Sequence, residues 1–239
     1  MKAKILNTRW EHLIMATYEI DTEVIEEYVP QGFELDLFEG RALVSVVAFR
    51  FWKTRFFGVP MPFYNDFPEI NLRIYVKGMH QGVMRRGVVF IKEIIPHHVP
   101  ALIARHIFRE NFHVDPVELN RYGEAELREV HYTWGDGNEL GGVVTDEPKG
   151  WQKGTEEEFV GDNFWAFKKR DENRTYAFKV DHEAWKMAPL ENVKINIDLE
   201  VLYDEKIANG IRRYGDQPRN IFYIDGGQVK VGLPERVAI

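Results

Sequence analysis

The chain has 239 residues, 44 % of them hydrophobic and 13 % aromatic, which is ample for a packed core and excludes an intrinsically disordered protein. Acidic residues number 38 against 31 basic, a net charge of −7, and no dense basic run occurs, so nucleic acid is not an expected partner. Cysteine is absent, which removes disulfides, thiolate metal sites and a cysteine nucleophile together.

The N-terminal stretch carries no apolar segment ahead of Arg9 and Glu11, and no later run is long enough to span a bilayer. The expectation is a soluble cytoplasmic protein with no membrane partner. No repeat, low-complexity tract or linker divides the sequence, and residues 1–239 read as a single domain.

Residues 10–20 read as a strand ending at Asp21 or Thr22, either of which suits the cap of a short helix ahead of Pro30. Glu39-Gly40 marks a hairpin. Residues 42–52 are β-branched and aromatic, interrupted by polar groups only at Ser45 and Arg50, as in a strand covered on both faces. Residues 53–67, rich in Pro, Gly and aromatics, form a loop with enough apolar surface to fold back over something. A strand over 69–76 follows, then a turn over 77–82 and a second strand over 83–94 paired antiparallel with the first.

Residues 96–111 give the clearest helix, with Val99, Ile103, His106 and Ile107 on one stripe. Strands are expected over 124–134, 139–146, 164–170, 174–183 and 193–202, with short helices near 156–160 and 204–214. The chain closes with a hairpin over 219–234 turning at Asp225-Gly226-Gly227. About ten strands, three or four short helices and no βαβ rhythm make the class α+β, β-dominant and mainly antiparallel, closing into a barrel or splitting into a sandwich.

The strand over 69–76 alternates strictly. Ile70, Leu72, Ile74 and Val76 form one apolar face, and Glu69, Asn71, Arg73 and Tyr75 the other. Residues four apart on a strand lie about 13 Å from each other, so Glu69 and Arg73 cannot pair and each needs a partner elsewhere. Arg50 and Arg105 are available to Glu69. The guanidinium fork of Arg73 suits a carboxylate ligand.

Several blocks carry a resemblance in their order: WEHL at 10–13, residues 29–49, 67–76, 86–93, 153–167 and 180–185, and the terminal run through 218–231. Together they resemble the bacterial DUF2071 or YqjF-like family over nearly the whole chain. Members of that family are similar in fold to acetoacetate decarboxylase, whose β-rich domain closes as a cone-like barrel around a polar pocket. The resemblance therefore implies a mainly antiparallel closed barrel of the acetoacetate decarboxylase-like type. One position departs from the pattern: Asn163, in Gly161-Asp-Asn-Phe-Trp165, stands where family members usually carry histidine.

Acetoacetate decarboxylase works through a Schiff-base lysine with a lowered pKa. The resemblance places that lysine downstream of a pocket glutamate matched here by Glu69, yet no lysine occurs between Lys92 and Lys149. The decarboxylase mechanism is therefore expected to be absent. Lys168-Lys169 precedes an all-polar turn and reads as solvated, which leaves Lys92, alternating with Ile91, as the only Schiff-base candidate. His97, His98, His106 and His113 cluster around the helix with Glu110 nearby, and read as surface or partly packed histidines rather than metal ligands. Ser45 is the only serine and sits mid-strand, which excludes a serine triad.

The expected site is a barrel pocket lined by Glu69, Asn71, Arg73, Tyr75 and Trp165, with Arg50, Arg105 and Lys92 near it and the aromatic loop over 56–64 closing its mouth. Arg73 would anchor an anionic or carbonyl ligand, a carboxylate among the candidates, and Glu69 would be the proton-transfer group. No cofactor or metal is expected, and a homodimer is compatible with the reading. A lysine-independent lyase or hydrolase acting on a small keto or carboxylic acid is the first alternative. An interaction scaffold with a solidly packed barrel is the second.

Overall fold

The computed structural model describes residues 4–98, 100–102, 111–122 and 128–238. Eleven strands of six or more residues run through them: β1 (Lys4–Ile20), β2 (Ala42–Phe56), β3 (Asp66–His80), β4 (Val83–Ile95), β5 (Val117–Tyr122), β6 (Arg128–Trp134), β7 (Asn138–Val144), β8 (Trp165–Asp171), β9 (Arg174–His182), β10 (Lys186–Asn196) and β11 (Asn220–Gly232). The α-helices that lie wholly within the described residues are short: α1 (Thr22–Ile25), α2 (Glu156–Gly161), α3 (Leu199–Leu202) and α4 (Glu205–Arg212). Positions 98 and 100–102 are also helical, while 103–110 of the expected central helix, with Arg105, His106 and Glu110, lie outside the described residues.

Seven strands close in a ring, in the order β9–β8–β4–β3–β2–β1–β11 and back to β9. All its neighbours are antiparallel except β8 and β4, which meet in parallel at Ala166 opposite Val88. That junction needs Gly87, where a Cβ would sit 2.4 Å from the Trp165 carbonyl oxygen. β10 leaves the ring edge at β11 and continues as a second antiparallel sheet in the order β10–β7–β6–β5. A closed barrel leaves the strands of its wall no open edge, and the second sheet gives one wall an outer cover.

Side chains of the ring alternate between two cores. Leu13, Met15, Leu43, Val47, Phe49, Phe51, Phe67, Tyr75, Phe178 and Phe222 belong to the inner one. Ile14, Ala16, Val44, Val46, Ala48, Ile70, Leu72, Ile74 and Val76 belong to the outer one, against Tyr132, Trp134 and Leu140 of the second sheet and Leu199, Leu202, Ile207 and Ile211 of α3 and α4. The middle strand of this wall, β2, is therefore buried on both faces over residues 42–49, and apolar there except at Ser45, as the composition of residues 42–52 requires.

Several sequence-based boundaries shift. The expected strand over 193–202 stops at Asn196, because the Asp198 carboxylate accepts from Glu200 N and Val201 N at 3.0 Å each and starts α3. The expected C-terminal hairpin is one continuous strand, β11, paired with β1 through Asp225-Gly226-Gly227. Gly226 takes φ +83°, and a Cβ there would meet the Trp10 carbonyl oxygen at 2.0 Å, so the glycines serve close strand approach and not reversal. The loop over 53–67 begins as the continuation of β2 and turns back at Phe57-Gly58 to a short partner, Val59–Pro60.

Candidate functional site

Glu69, Asn71 and Arg73 are all buried and all point into the ring, each one inward step further along β3. Their cross-strand partners on β2 are Phe49, Val47 and Ser45. A cavity of about 110 Å³ occupies the end of the barrel near Phe51 and Phe67. Its wall is mostly aromatic and aliphatic, with Trp10, Phe49, Phe51, Phe90 and Phe178 among the lining residues, and its polar groups are Thr54, Glu69, Asn71 and Glu93.

Glu93 was not anticipated, and a bulge explains why. β3 and β4 pair Leu72 with Lys92 but Arg73 with Phe90, so Ile91 is an extra residue on β4. Val88 and Phe90 face inward, and unbroken alternation from them would turn Lys92 inward too. The inserted residue reverses the parity and presents Glu93 and Ile95 instead. Lys92 lies on the outer side, with Nζ donating to the Val201 carbonyl at 3.3 Å in a groove that also holds Asp115, Asp136 and Asp198. Partial burial lowers its pKa, opposed by Asp115. The expectation that Lys92 enters the barrel is thus corrected.

Asn71 stands directly opposite Glu93 and donates its side-chain Nδ2 to Glu69 Oε1 at 3.3 Å. Its Oδ1 is buried and has no hydrogen-bond partner among the described residues, which leaves an acceptor on the cavity residue that lies between two carboxylates. Trp10, also on the wall, has a buried indole Nε1 likewise without a partner among the described residues. The arrangement offers hydrogen bonding of both signs beside an apolar surface, together with carboxyl groups able to take or give a proton.

Arg73 lies beyond the cavity wall. It donates through Nη2 to the Val160 carbonyl at 2.9 Å and contacts Met15 Sδ at 3.6 Å, at the C-terminal end of α2, where a cation is favoured. Tyr75 is further in, bonded through its hydroxyl to Ser45 Oγ at 2.6 Å, which in turn meets Thr17 Oγ1 at 2.8 Å. Arg73, Tyr75 and α2, with Phe159 against Tyr75, fill the far end of the barrel. These are packing positions, and the expected ligand anchor at Arg73 is not on the wall.

Two further expectations change in the same way. Arg50 faces outward, held by Asp66 through two bonds of 2.5 and 2.6 Å and stacked over Trp52, and so does not serve Glu69. Trp165 packs on the outer core against His80 and Phe167. Arg105 lies outside the described residues. Of the aromatic loop, Phe56 and Met61 do reach the cavity, whereas Phe57 and Phe63 project into solvent. Asn163 donates to the Phe159 and Val160 carbonyls at 2.9 and 3.1 Å, closing the end of α2. Among the described residues no group of three His, Asp or Glu side chains is placed to hold a metal ion.

Residues 7–226 match the model of the DUF2071 family, described as an uncharacterized conserved protein. Uncharacterized protein YqjF of Bacillus subtilis is 28 % identical over 122 residues, which cover 51 % of this chain and 49 % of YqjF; the match spans about half the length of that relative. Among solved structures the chain is similar to acetoacetate decarboxylase from Legionella pneumophila, with a TM-score of 0.65 at 13 % identity, over 99 % of this chain and 88 % of that one. It is also similar to the enduracididine biosynthesis enzyme MppR in complex with pyruvate, with a TM-score of 0.60 at 10 % identity, over 100 % and 92 % of the two chains. At these identities the likeness establishes a shared fold.

Proposed function

This chain belongs to the DUF2071 family, and from that premise we propose that it binds a small carbonyl compound in its barrel cavity without a Schiff-base lysine. One observation carries the reading: Glu69, Asn71 and Glu93 meet on the wall of an otherwise apolar cavity of about 110 Å³. A dry cavity of about 150 Å³ accommodates benzene, so the ligand is compact. Two carboxylates on the wall oppose an anion and favour a neutral ketone, aldehyde or protonated acid. The Trp10 N–H suits a ligand carbonyl, and the Asn71 Oδ1 suits a ligand hydroxyl or amide N–H. The fold's use with acetoacetate in one neighbour and pyruvate in another supports carbonyl chemistry, and among the described residues no lysine lines the cavity.

The test is a thermal-shift screen of neutral ketones, aldehydes and keto acids against the protein and against Asn71→Leu. Neutral carbonyl compounds should raise Tm in the parent and lose that effect in the variant. No stabilisation by any compound, or stabilisation unchanged in Asn71→Leu, overturns the proposal.

A second reading, enzymatic proton transfer, is favoured by the placement of Glu69 and Glu93 around one amide. In it, one glutamate, as carboxylate, takes a proton from the carbon next to the ligand carbonyl while the other, as neutral carboxylic acid, gives its proton to the oxygen. Deuterium incorporation at that carbon, followed by NMR, should fall at least about a hundredfold in Glu69→Gln. Exchange indifferent to that change sinks the enzymatic reading and leaves binding.

A further inference from the structure

The hairpin that carries Phe56 and Met61 into the cavity presents the opposite character on its outside. Phe57, Val59 and Phe63 are exposed, Phe63 to 92 % of its full surface. Lys53 and Arg55 flank them, both exposed, and from Lys53 to Tyr64 there is no acidic residue in a chain whose net charge is −7. The nearest acid beyond, Asp66, is occupied by Arg50. Lys53, Phe57 and Phe63 all hold left-handed backbone conformations, at φ +54°, +48° and +66°. Such conformations are costly for bulky side chains and persist where the surrounding structure enforces them.

Exposed aromatics at the tip of a turn, with lysine and arginine just behind and acids excluded, match the interface of an anionic lipid bilayer. The aromatic rings enter at headgroup depth while the cations meet lipid phosphates. A second copy of this chain is a poorer occupant of the same face, since a two-fold contact would bring Lys53 and Arg55 of both copies together. Among the described residues no helix is long and apolar enough to cross a membrane, which bears on crossing one and not on resting against it.

We propose that the Lys53–Tyr64 hairpin is a docking element for an anionic lipid surface. Docked, it holds the cavity-lining Phe56 and Met61, which the same hairpin carries, next to the lipid surface, from which an apolar carbonyl compound can partition. That last step rests on the proposed function; docking itself does not.

Sedimentation with vesicles of phosphatidylcholine alone, or with 30 % phosphatidylglycerol, tests the docking directly. The protein should pellet with the anionic vesicles and be released at high salt. Phe57→Ser combined with Phe63→Ser should abolish pelleting, and Lys53→Glu should weaken it by at least about fivefold. All three sites are exposed, and unchanged Tm values will show that the variants fold. Equal behaviour on both vesicle types, or variants that bind like the parent, overturns the proposal. So does light scattering that finds a dimer dissolved by the double serine variant with no vesicle binding. Vesicle binding reads the hairpin and the ketone screen reads the cavity, so either can fail alone.

Discussion

Asn71 on β3 and Glu93 on β4 face each other directly across the strand pair, both buried to within 5 % of full occlusion, on the wall of the barrel cavity. Lys92, one residue earlier, looks the other way because Ile91 is bulged out of register. Lys92→Ala should therefore leave ligand-induced stabilisation unchanged, and borohydride should trap no adduct between the protein and a small ketone. Glu93→Leu should alter the ligand response. Mass spectrometry and thermal shift read the two outcomes, and a borohydride adduct on Lys92 formed by a cavity ligand would contradict this geometry.

Arg73 and Asn163 converge on one acceptor, the Val160 carbonyl, at 2.9 and 3.1 Å. Arg73→Ala removes a buried side chain as well as its bond, and should destabilise by about 2–4 kcal/mol. Arg73→Met keeps most of the volume and sheds a buried charge, so its cost should be smaller. A double-mutant cycle with Asn163→Ala should show coupling of about 0.5–2 kcal/mol in urea denaturation, since the carbonyl loses both of these side-chain donors only in the double variant.

His12 sits between the barrel and the second sheet, its Nδ1 3.1 Å from the Tyr223 hydroxyl and its Nε2 3.0 Å from an Arg121 nitrogen. Burial, followed by the Arg121 charge, lowers its pKa from 6.5 to about 4. The unfolded chain then binds the proton first, so this contribution is intact above pH 6.5 and is lost as pH falls toward about 4. The whole loss amounts to about 3 kcal/mol. His12→Asn, a residue that accepts the φ of +56° held there, should flatten the pH dependence of stability across that window.

Gly226→Ala should cost about 3 kcal/mol or more, because the new methyl meets backbone at 2.0 Å and φ is +83°. Gly40 has nearly the same φ, +82°, but open space around it, so Gly40→Ala should cost only about 1 kcal/mol. Urea midpoints of the two variants make the comparison. Similar costs would mean that β1 and β11 are not packed as closely as described.

The sequence was most informative where one physical rule dominated. Alternation over residues 69–76 puts Glu69, Asn71 and Arg73 on one face, and the two-sided apolar run over 42–52 demands cover on both sides; both features stand in the barrel wall. The turn residues misled where a glycine met another backbone. Asp225-Gly226-Gly227 looks like a reversal, but the missing side chains make room for Trp10.

By itself the sequence determined the β-dominant class and the shared face of Glu69, Asn71 and Arg73, because composition and the two-residue period of a strand are local properties. Only the tertiary structure decided which of those residues line a cavity, that Arg73 is spent on the end of α2, and that Glu93 takes the place expected for Lys92. The reason is register: a single extra residue at Ile91 exchanges the inner and outer faces of everything after it, and it is defined only by the partner strand.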